Sequence, residues 1–271
     1  MAVSPQPSPT AFILIETDGS GREVARPTAL CRGPWDEHSC HAGPPTALVA
    51  RAVERLLPNH RLVRLTMEIT RPIPMAGFTV EAEVTRAGRL AATAHAAILD
   101  LDGKRVATAT TAHLASQPED ADMPQLRSVA GTFDSAVPGP FPLSQTRHGL
   151  TCFPDGVEVR YPPGQNGGPG PTQLWMKTVP IVDGEIPSAF EAICPFADCG
   201  NAISRNAEPD QYGFLNTDLT IYMHRPARGE WFGSDVVSYW NSDGIGMSDA
   251  QLLDVSGVVG RAVQSLVVAK A

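Results

Sequence analysis

The sequence predicts an α+β protein built from two tandem copies of one unit, each a helix against a long antiparallel sheet. Three observations carry this. The chain repeats itself at an offset of 154 residues: Leu65-Thr66 falls on Leu219-Thr220, Arg71-Pro72 on Arg225-Pro226, Phe78 on Phe232, Asp100 on Asp254 and Gly103 on Gly257, with no gap over about fifty residues. The repeated stretch alternates apolar and polar residues, as half-buried strands do. Each copy also carries one helical pattern ahead of its strands.

The length of 271 residues suits two domains. The expected division is 1–115 for the first copy, a Pro-rich linker over 116–145, and 146–271 for the second. At 42% hydrophobic and 18% charged, the chain has enough apolar material for real cores. Its net charge of −8 argues against a nucleic-acid or anionic-membrane surface. Five cysteines with no Cys-x-x-Cys pair suggest neither a zinc site nor a disulfide framework, and point to reduced thiols in a cytoplasmic protein. Residues 1–10 lack the basic and apolar regions of a signal peptide, and no run of 18 apolar residues is found, so no membrane span is expected.

Taken in order, residues 11–16 (AFILIE) and 26–30 read as short strands. A loop over 31–41 follows, holding Trp35, Asp36, His38, Cys40 and His41. Pro44 and Pro45 suit a helix start, where a missing N–H costs nothing. Leu48, Val49, Val53, Leu56 and Leu57 then place one helical face in the core. Leu65, Met67 and Ile69, then Val80, Ala82 and Val84, alternate with polar residues. Residues 90–99 and 105–114 close a meander around the Asp102-Gly103 turn. Residues 116–141 and 164–171 are irregular, rich in Pro, Gly and Ser. Strands are expected over 157–161 and 173–177. Ser188 can cap a second helix running toward Ile203, with a break or kink at Pro195. Residues 214–223, 231–239, 248–255 and 259–267 repeat the meander.

Function is expected where the repeat breaks its own symmetry. At the 154-residue offset, Asp198 lies opposite Pro44, Asn216 opposite Leu62 and Gln264 opposite Thr110. Asn216 is expected to share a strand face with Asp218 and Thr220, leaving Leu215, Leu219 and Ile221 on the other. A carboxylate can take a proton from water, and amides can orient that water or donate to an oxyanion, so the trio suggests general-base hydrolysis. The structural alternative is a helix-capping Asp198, a strand-edge Asn216 and a solvated Gln264.

These residues sit in motifs that resemble a family. His41-Ala-Gly-Pro-Pro-x-Ala-Leu-x-Ala50, Arg71-Pro72, Phe196-Ala-Asp-Cys-Gly-Asn201, Leu215-Asn-Thr-Asp-Leu-Thr220, His224-Arg-Pro226-x3-Glu-Trp231 and Gly260-Arg-Ala-Val-Gln264 look like the double-hotdog thioesterases, relatives of bacterial acyl-CoA thioesterase II. The resemblance runs over residues 11–268, with the motifs in order. It implies a double hotdog, two helix-and-sheet units with their sheets joined side by side. It implies hydrolysis of an acyl-CoA or carrier-bound acyl thioester by water, without an acyl-enzyme, metal or other cofactor. It places the catalytic trio at Asp198, Asn216 and Gln264. His41, Gly43 and Trp35 are then candidates for substrate binding, with a backbone N–H near Gly43 receiving the oxyanion and the acyl chain in an apolar tunnel between the units. Pro195 departs from the family's pattern and bears on where Asp198 sits. A homo-oligomer is expected from exposed strand edges.

The same stretches offer other chemistries. Asp36-x4-His41 has the spacing of a hydratase pair, although Glu-His-Ser-Cys stands between them. Asp36, His38 and His41 together could bind a metal. Cys194 or Cys199 could be a nucleophile, but no His is close in sequence, and no Gly-x-Ser-x-Gly elbow exists for a Ser. Arg225 reads as structural because Arg71 repeats it, and Tyr222, Trp231 and Trp240 read as core or interface aromatics. A non-catalytic acyl-thioester binding module would keep the tunnel and not need Asp198.

Overall fold

The computed structural model describes residues 10–124, 132–143 and 148–271; the rest of the expected linker and of the N-terminal segment lies outside the described residues. The first copy comprises strands β1 (Ile13–Thr17) and β2 (Glu23–Pro27), helix α1 (Gly43–Leu56), and strands β3 (Arg61–Ile69), β4 (Phe78–Ala87), β5 (Ala91–Asp100) and β6 (Arg105–Leu114). Strand β7 (Val137–Gly139) follows. The second copy comprises β8 (Val157–Tyr161), β9 (Thr172–Thr178), helices α2 (Ala189–Ala197) and α3 (Gly200–Ile203), and strands β10 (Tyr212–Asn216), β11 (Asp218–Met223), β12 (Phe232–Trp240), β13 (Ile245–Asp254) and β14 (Gly257–Lys270).

Among the described residues these strands form one 14-stranded sheet in the order β1-β2-β4-β5-β6-β3-β11-β14-β13-β12-β9-β8-β7, with β10 paired to β14. Outward from the β3–β11 junction the first six strands on either side correspond, and β7 is an added edge strand beyond β8. In that junction Thr66 stands opposite Thr220, Leu65 opposite Ile221 and Met67 opposite Leu219. Each pair maps onto another under the 154-residue repeat, and Thr66–Thr220 maps onto itself. Thr220 Oγ1 donates to Thr66 Oγ1 at 3.2 Å. The sequence repeat is thus a pseudo-twofold axis passing between two threonines.

The helices lie under the sheet. In α1, Ala47, Leu48, Val49, Ala50 and Val53 are buried, each large one stabilising the fold by about 1.5–3 kcal/mol. Leu56, expected in the core, is 44% exposed; the helix ends there and Leu57 turns inward instead. The proposed strand over 26–30 stops at Pro27, because Thr28 accepts the Leu30 N–H and caps a short 3-10 turn. The expected irregular linker contains β7, whose Gly139 lies so close to Tyr161 that a Cβ would sit 2.6 Å from the ring.

The gap-free repeat fails at one point. Ile98 pairs with Ala107, but its equivalent Leu252 pairs with Gly260, one residue earlier than the repeat requires. The β13–β14 turn is one residue shorter than the β5–β6 turn. Beyond it the copies are related by 153 residues, so Gln264 corresponds to Thr111 and not to Thr110. Burial agrees, since Gln264 and Thr111 are both 1% exposed.

The shorter turn also receives an arginine. Arg225 donates through Nη1 and Nη2 to the two carboxylate oxygens of fully buried Asp254 (2.6 and 2.7 Å), through Nη2 to Gly257 O and through Nε to Val258 O. Removing one partner of a buried pair strands the other charge, at a cost of about 3–5 kcal/mol. Arg225→Ala is therefore expected to lower the unfolding free energy by about 3 kcal/mol, whereas Arg71→Ala in the first copy should change it by less than about 0.5 kcal/mol; urea titration of both variants distinguishes them.

Candidate active site

The site assembles where α1 begins and the second helix breaks. Ser188 caps α2 by accepting the Glu191 N–H, as expected. Pro195 removes one helical donor, and the helix stops at Ala197. Asp198 is its C-cap and Cys199 the N-cap of α3. Two close approaches hold this break. A Cβ on Gly43 would lie 2.7 Å from Pro195 Cα, and one on Gly200 would lie 2.5 Å from Ser248 Oγ and 3.1 Å from Gln264 Oε1. The break presents Asp198 to the start of α1.

Asp198 is 5% exposed and surrounded by donors. Its Oδ1 accepts from Asn216 Nδ2 (2.9 Å) and Gln264 Nε2 (3.1 Å). Its Oδ2 lies 3.2 Å from His41 Nδ1. The Ala42 and Gly43 backbone N–H groups also favour its ionised form. Pro44 and Pro45 carry no N–H, so the free donors of the α1 start are concentrated on residues 42 and 43. Pro195 thus leaves Asp198 within hydrogen-bond reach of both other members of the expected trio.

Strand geometry brings Asn216 there. The expected single strand over 214–223 is broken at Thr217, whose N–H donates to Ser265 O and whose carbonyl accepts from Ile69. Leu215 is 51% exposed while Leu219 and Ile221 are buried, so the predicted common face does not exist. Asn216 instead turns toward Asp198, with its Oδ1 accepting from Asn201 Nδ2 at 3.4 Å. Asn201 also donates its N–H to Gln264 Oε1 at 3.2 Å. Asn201 was not singled out from the sequence. The signal was available, because it lies opposite Ala47 at the same 154-residue offset.

An apolar cavity of about 470 Å³ opens beside this cluster, between the two copies. Asp198, Asn201, Asn216, His41 and Trp35 line it, with Phe141, Leu143, Ile69 and Ile73 among the apolar walls. Gln264 is buried behind Asp198, outside the lining residues. Trp35 meets Phe214 edge-on at 5.2 Å. Gly43 contributes no wall; its N–H donates to His41 Nδ1 at 3.2 Å.

The electrostatics follow from burial. Desolvation raises the Asp198 carboxyl to about 7, against the lowering effect of Asn216, Gly43, Ala42 and Gln264. Desolvation lowers His41 to about 3, so its ring is neutral near pH 7. The ring stacks on Phe153 at 3.8 Å. The Gly43 bond makes Nδ1 an acceptor, which places the imidazole proton on Nε2. Buried Cys194 and Cys199 are pushed well above the usual thiol range, which disfavours a thiolate nucleophile.

Asp36 and His41 do not form a pair. The Asp36 carboxylate accepts from the His38 N–H (3.1 Å) and from Ser39 Oγ, while His41 faces Asp198. His38 lies outward beside Glu37. Among the described residues no group of His, Cys, Asp and Glu is arranged to hold a metal ion.

Two family models cover this arrangement, the acyl-CoA thioesterase N-terminal domain over residues 31–115 and the C-terminal domain over residues 112–268. The chain belongs to the acyl-CoA thioesterase family. Its fold is that of the double hotdog. A hot dog fold protein of unknown function from Alicyclobacillus acidocaldarius superposes with a TM-score of 0.71 at 15% identity, covering 94% of this chain and 95% of that one. The acyl-CoA thioesterase II TesB2 of Mycobacterium marinum gives 0.61 at 15% identity, with 95% of each chain covered. The tesB protein of Mycobacterium avium subs paratuberculosis gives 0.65 at 13%, covering 94% and 95%. No curated protein matches the chain in sequence. No described helix of this thioesterase-family chain is long and apolar enough to cross a membrane.

The raised Asp198 carboxyl has a consequence for stability. Above the ordinary value of 3.8 the unfolded chain loses this proton first, and the folded chain keeps it up to about 7. The stabilisation is complete at low pH and is lost as pH rises through 7. Between pH 6 and pH 8 the wild type is expected to lose about 1.4 kcal/mol relative to Asp198→Asn. Chemical denaturation of both proteins at the two pH values measures it.

Proposed function

We propose that the protein hydrolyses acyl-CoA, or an acyl thioester on a carrier's pantetheine, through water activated by Asp198 and without an acyl-enzyme. The observation that carries this reading is the buried Asp198 carboxyl beside an apolar cavity, with its orientation set by Asn216 and Gln264. A carboxyl held near 7 is divided between acid and base at neutral pH, which is what a general base that must also return its proton requires.

In the proposed sequence, ionised Asp198 takes a proton from a water in the cavity as the water oxygen attacks the thioester carbonyl carbon. Asp198 then holds that proton. Collapse of the tetrahedral intermediate breaks the C–S bond, and the departing thiolate receives the proton from Asp198. Asn216 and Gln264 act by fixing the carboxylate; Asn201 fixes Asn216. Trp35 and the apolar walls receive the acyl chain. The Gly43 N–H is engaged with His41, so an oxyanion role for it has no support in this geometry.

Hydration of an enoyl thioester by Asp36 and His41 lacks support for the same reason: the two side chains have separate partners. A purely binding role leaves the buried Asp198 cluster without a task.

Release of free thiol from a panel of acyl-CoAs tests the proposal. Asp198→Ala is expected to lower kcat by about 10²–10⁴, the range of a general base. The kcat/KM of the wild type should rise with pH and level off above an inflection near 7, the value of the Asp198 carboxyl. Binding without turnover on every chain length would sink the hydrolase reading.

A further inference from the structure

The same arginine occurs in both copies and has different work in each. Arg225 is fastened to the β13–β14 turn by Asp254, Gly257 O and Val258 O. The first copy keeps the equivalent carboxylate. Asp100 Oδ1 accepts from the Asp102 and Lys104 N–H groups, much as Asp254 Oδ1 accepts from Ser256. Arg71, however, does not dock on it. The β5–β6 turn has one residue more, and it closes on itself: Asp100 N–H donates to Lys104 O at 2.9 Å. Lys104 O is the equivalent of the Gly257 carbonyl that Arg225 uses. Among the described residues Arg71 makes no side-chain hydrogen bond to this longer turn.

Arg71 is exposed and lines the cavity that holds Asp198. Its backbone is fixed, with the N–H donating to Val106 O at 3.1 Å. Its guanidinium forms no ion pair among the described residues, and it is the one Lys or Arg among those lining the cavity. Asp36 on the same lining is occupied by Ser39 and the His38 N–H. A guanidinium freed from its structural partner beside a largely apolar cavity is a fork for a paired-oxygen anion.

We propose that Arg71 recognises an anionic group of the thioester substrate, a phosphate or a carboxylate, and so selects which thioesters enter the cavity. This rests on the thioesterase reading above. The anion has two sources, the phosphates of the CoA carrier or a terminal carboxylate on the acyl chain, and the substrates separate them. Three are compared with wild type, Arg71→Ala and Arg71→Lys: hexanoyl-CoA, hexanoyl-N-acetylcysteamine and adipoyl-N-acetylcysteamine.

If the carrier phosphate is read, Arg71→Ala reduces the preference for hexanoyl-CoA over hexanoyl-N-acetylcysteamine by roughly tenfold or more through KM. If the acyl carboxylate is read, the preference for adipoyl over hexanoyl-N-acetylcysteamine falls by a similar factor. Arg71→Lys, which keeps the charge but not the fork, should fall between. Arg225→Ala should leave both preferences as in the wild type. Unchanged ratios in Arg71→Ala overturn the proposal. Should the wild type cleave none of the three, the acyl-CoA panel above decides the hydrolase reading, and calorimetric titration with CoA and with adipate decides the present one. Weaker binding of either by Arg71→Ala supports it; equal binding, or none by the wild type, overturns it.

Discussion

The pairing of β3 with β11 is the constraint on which the rest of the structure depends. It joins two sheets into one and sets the pseudo-twofold axis between Thr66 and Thr220. A slip of β11 by one residue in this register would turn Leu219 and Ile221 out of the core, and a slip of β3 would do the same to Leu65 and Met67. It would also move the end of β3, where Ile69, Thr70 and Arg71 line the cavity, away from Thr217 and Asn216. The Ile69 N–H donates to Thr217 O, so the break that turns Asn216 toward Asp198 is itself tied to the junction. The proposed active-site cluster draws His41 from one copy and Asp198, Asn216 and Gln264 from the other, and neither copy contains it alone.

Within that frame, asymmetry arises from small local differences. A turn shortened by one residue places Gln264 on the inner face of β14 and gives Arg225 a buried carboxylate. Pro195 stops α2 so that Asp198 leaves the helix at the α1 start. In the first copy the corresponding positions hold Pro44, Leu62 and Thr111. Thr111 meets its needs with Ala94 O and His113. On the other side of the axis, Arg61 donates to His224 O where its equivalent Leu215 lines the cavity.

Much of this was legible in the sequence. The two-copy architecture followed from the repeat because duplication preserves register, and register is what antiparallel pairing reads. The gathering of Asp198, Asn216 and Gln264 was legible because a carboxylate and two amides replace a proline, a leucine and a threonine. The role of His41 toward Asp198 was not, since contact between residues 41 and 198 depends on two helix starts meeting across the axis. The slip to Thr111 was hidden by Gly103 and Gly257, which align well although the strands after them do not. The freedom of Arg71 was hidden for the same reason: Arg-Pro is identical in both copies, and the difference lies in the turn that does or does not receive it.

These differences explain why the chain has one candidate site and not two. Burying a carboxyl without full compensation is unfavourable, and the raised value of Asp198 measures how far its donors fall short of solvent. A second such carboxyl near the same axis would add its own desolvation cost and would meet the first across a low-dielectric core. Filling the equivalent positions with proline, leucine and a satisfied threonine removes that cost. The first copy can then lend its helix start, its His41 and its cavity wall to the second. An arginine kept for structure in one copy is at the same time released to the cavity in the other. In the proposed reading, duplication separates the two demands on the unit, with stability held by one set of equivalent residues and chemistry by the other.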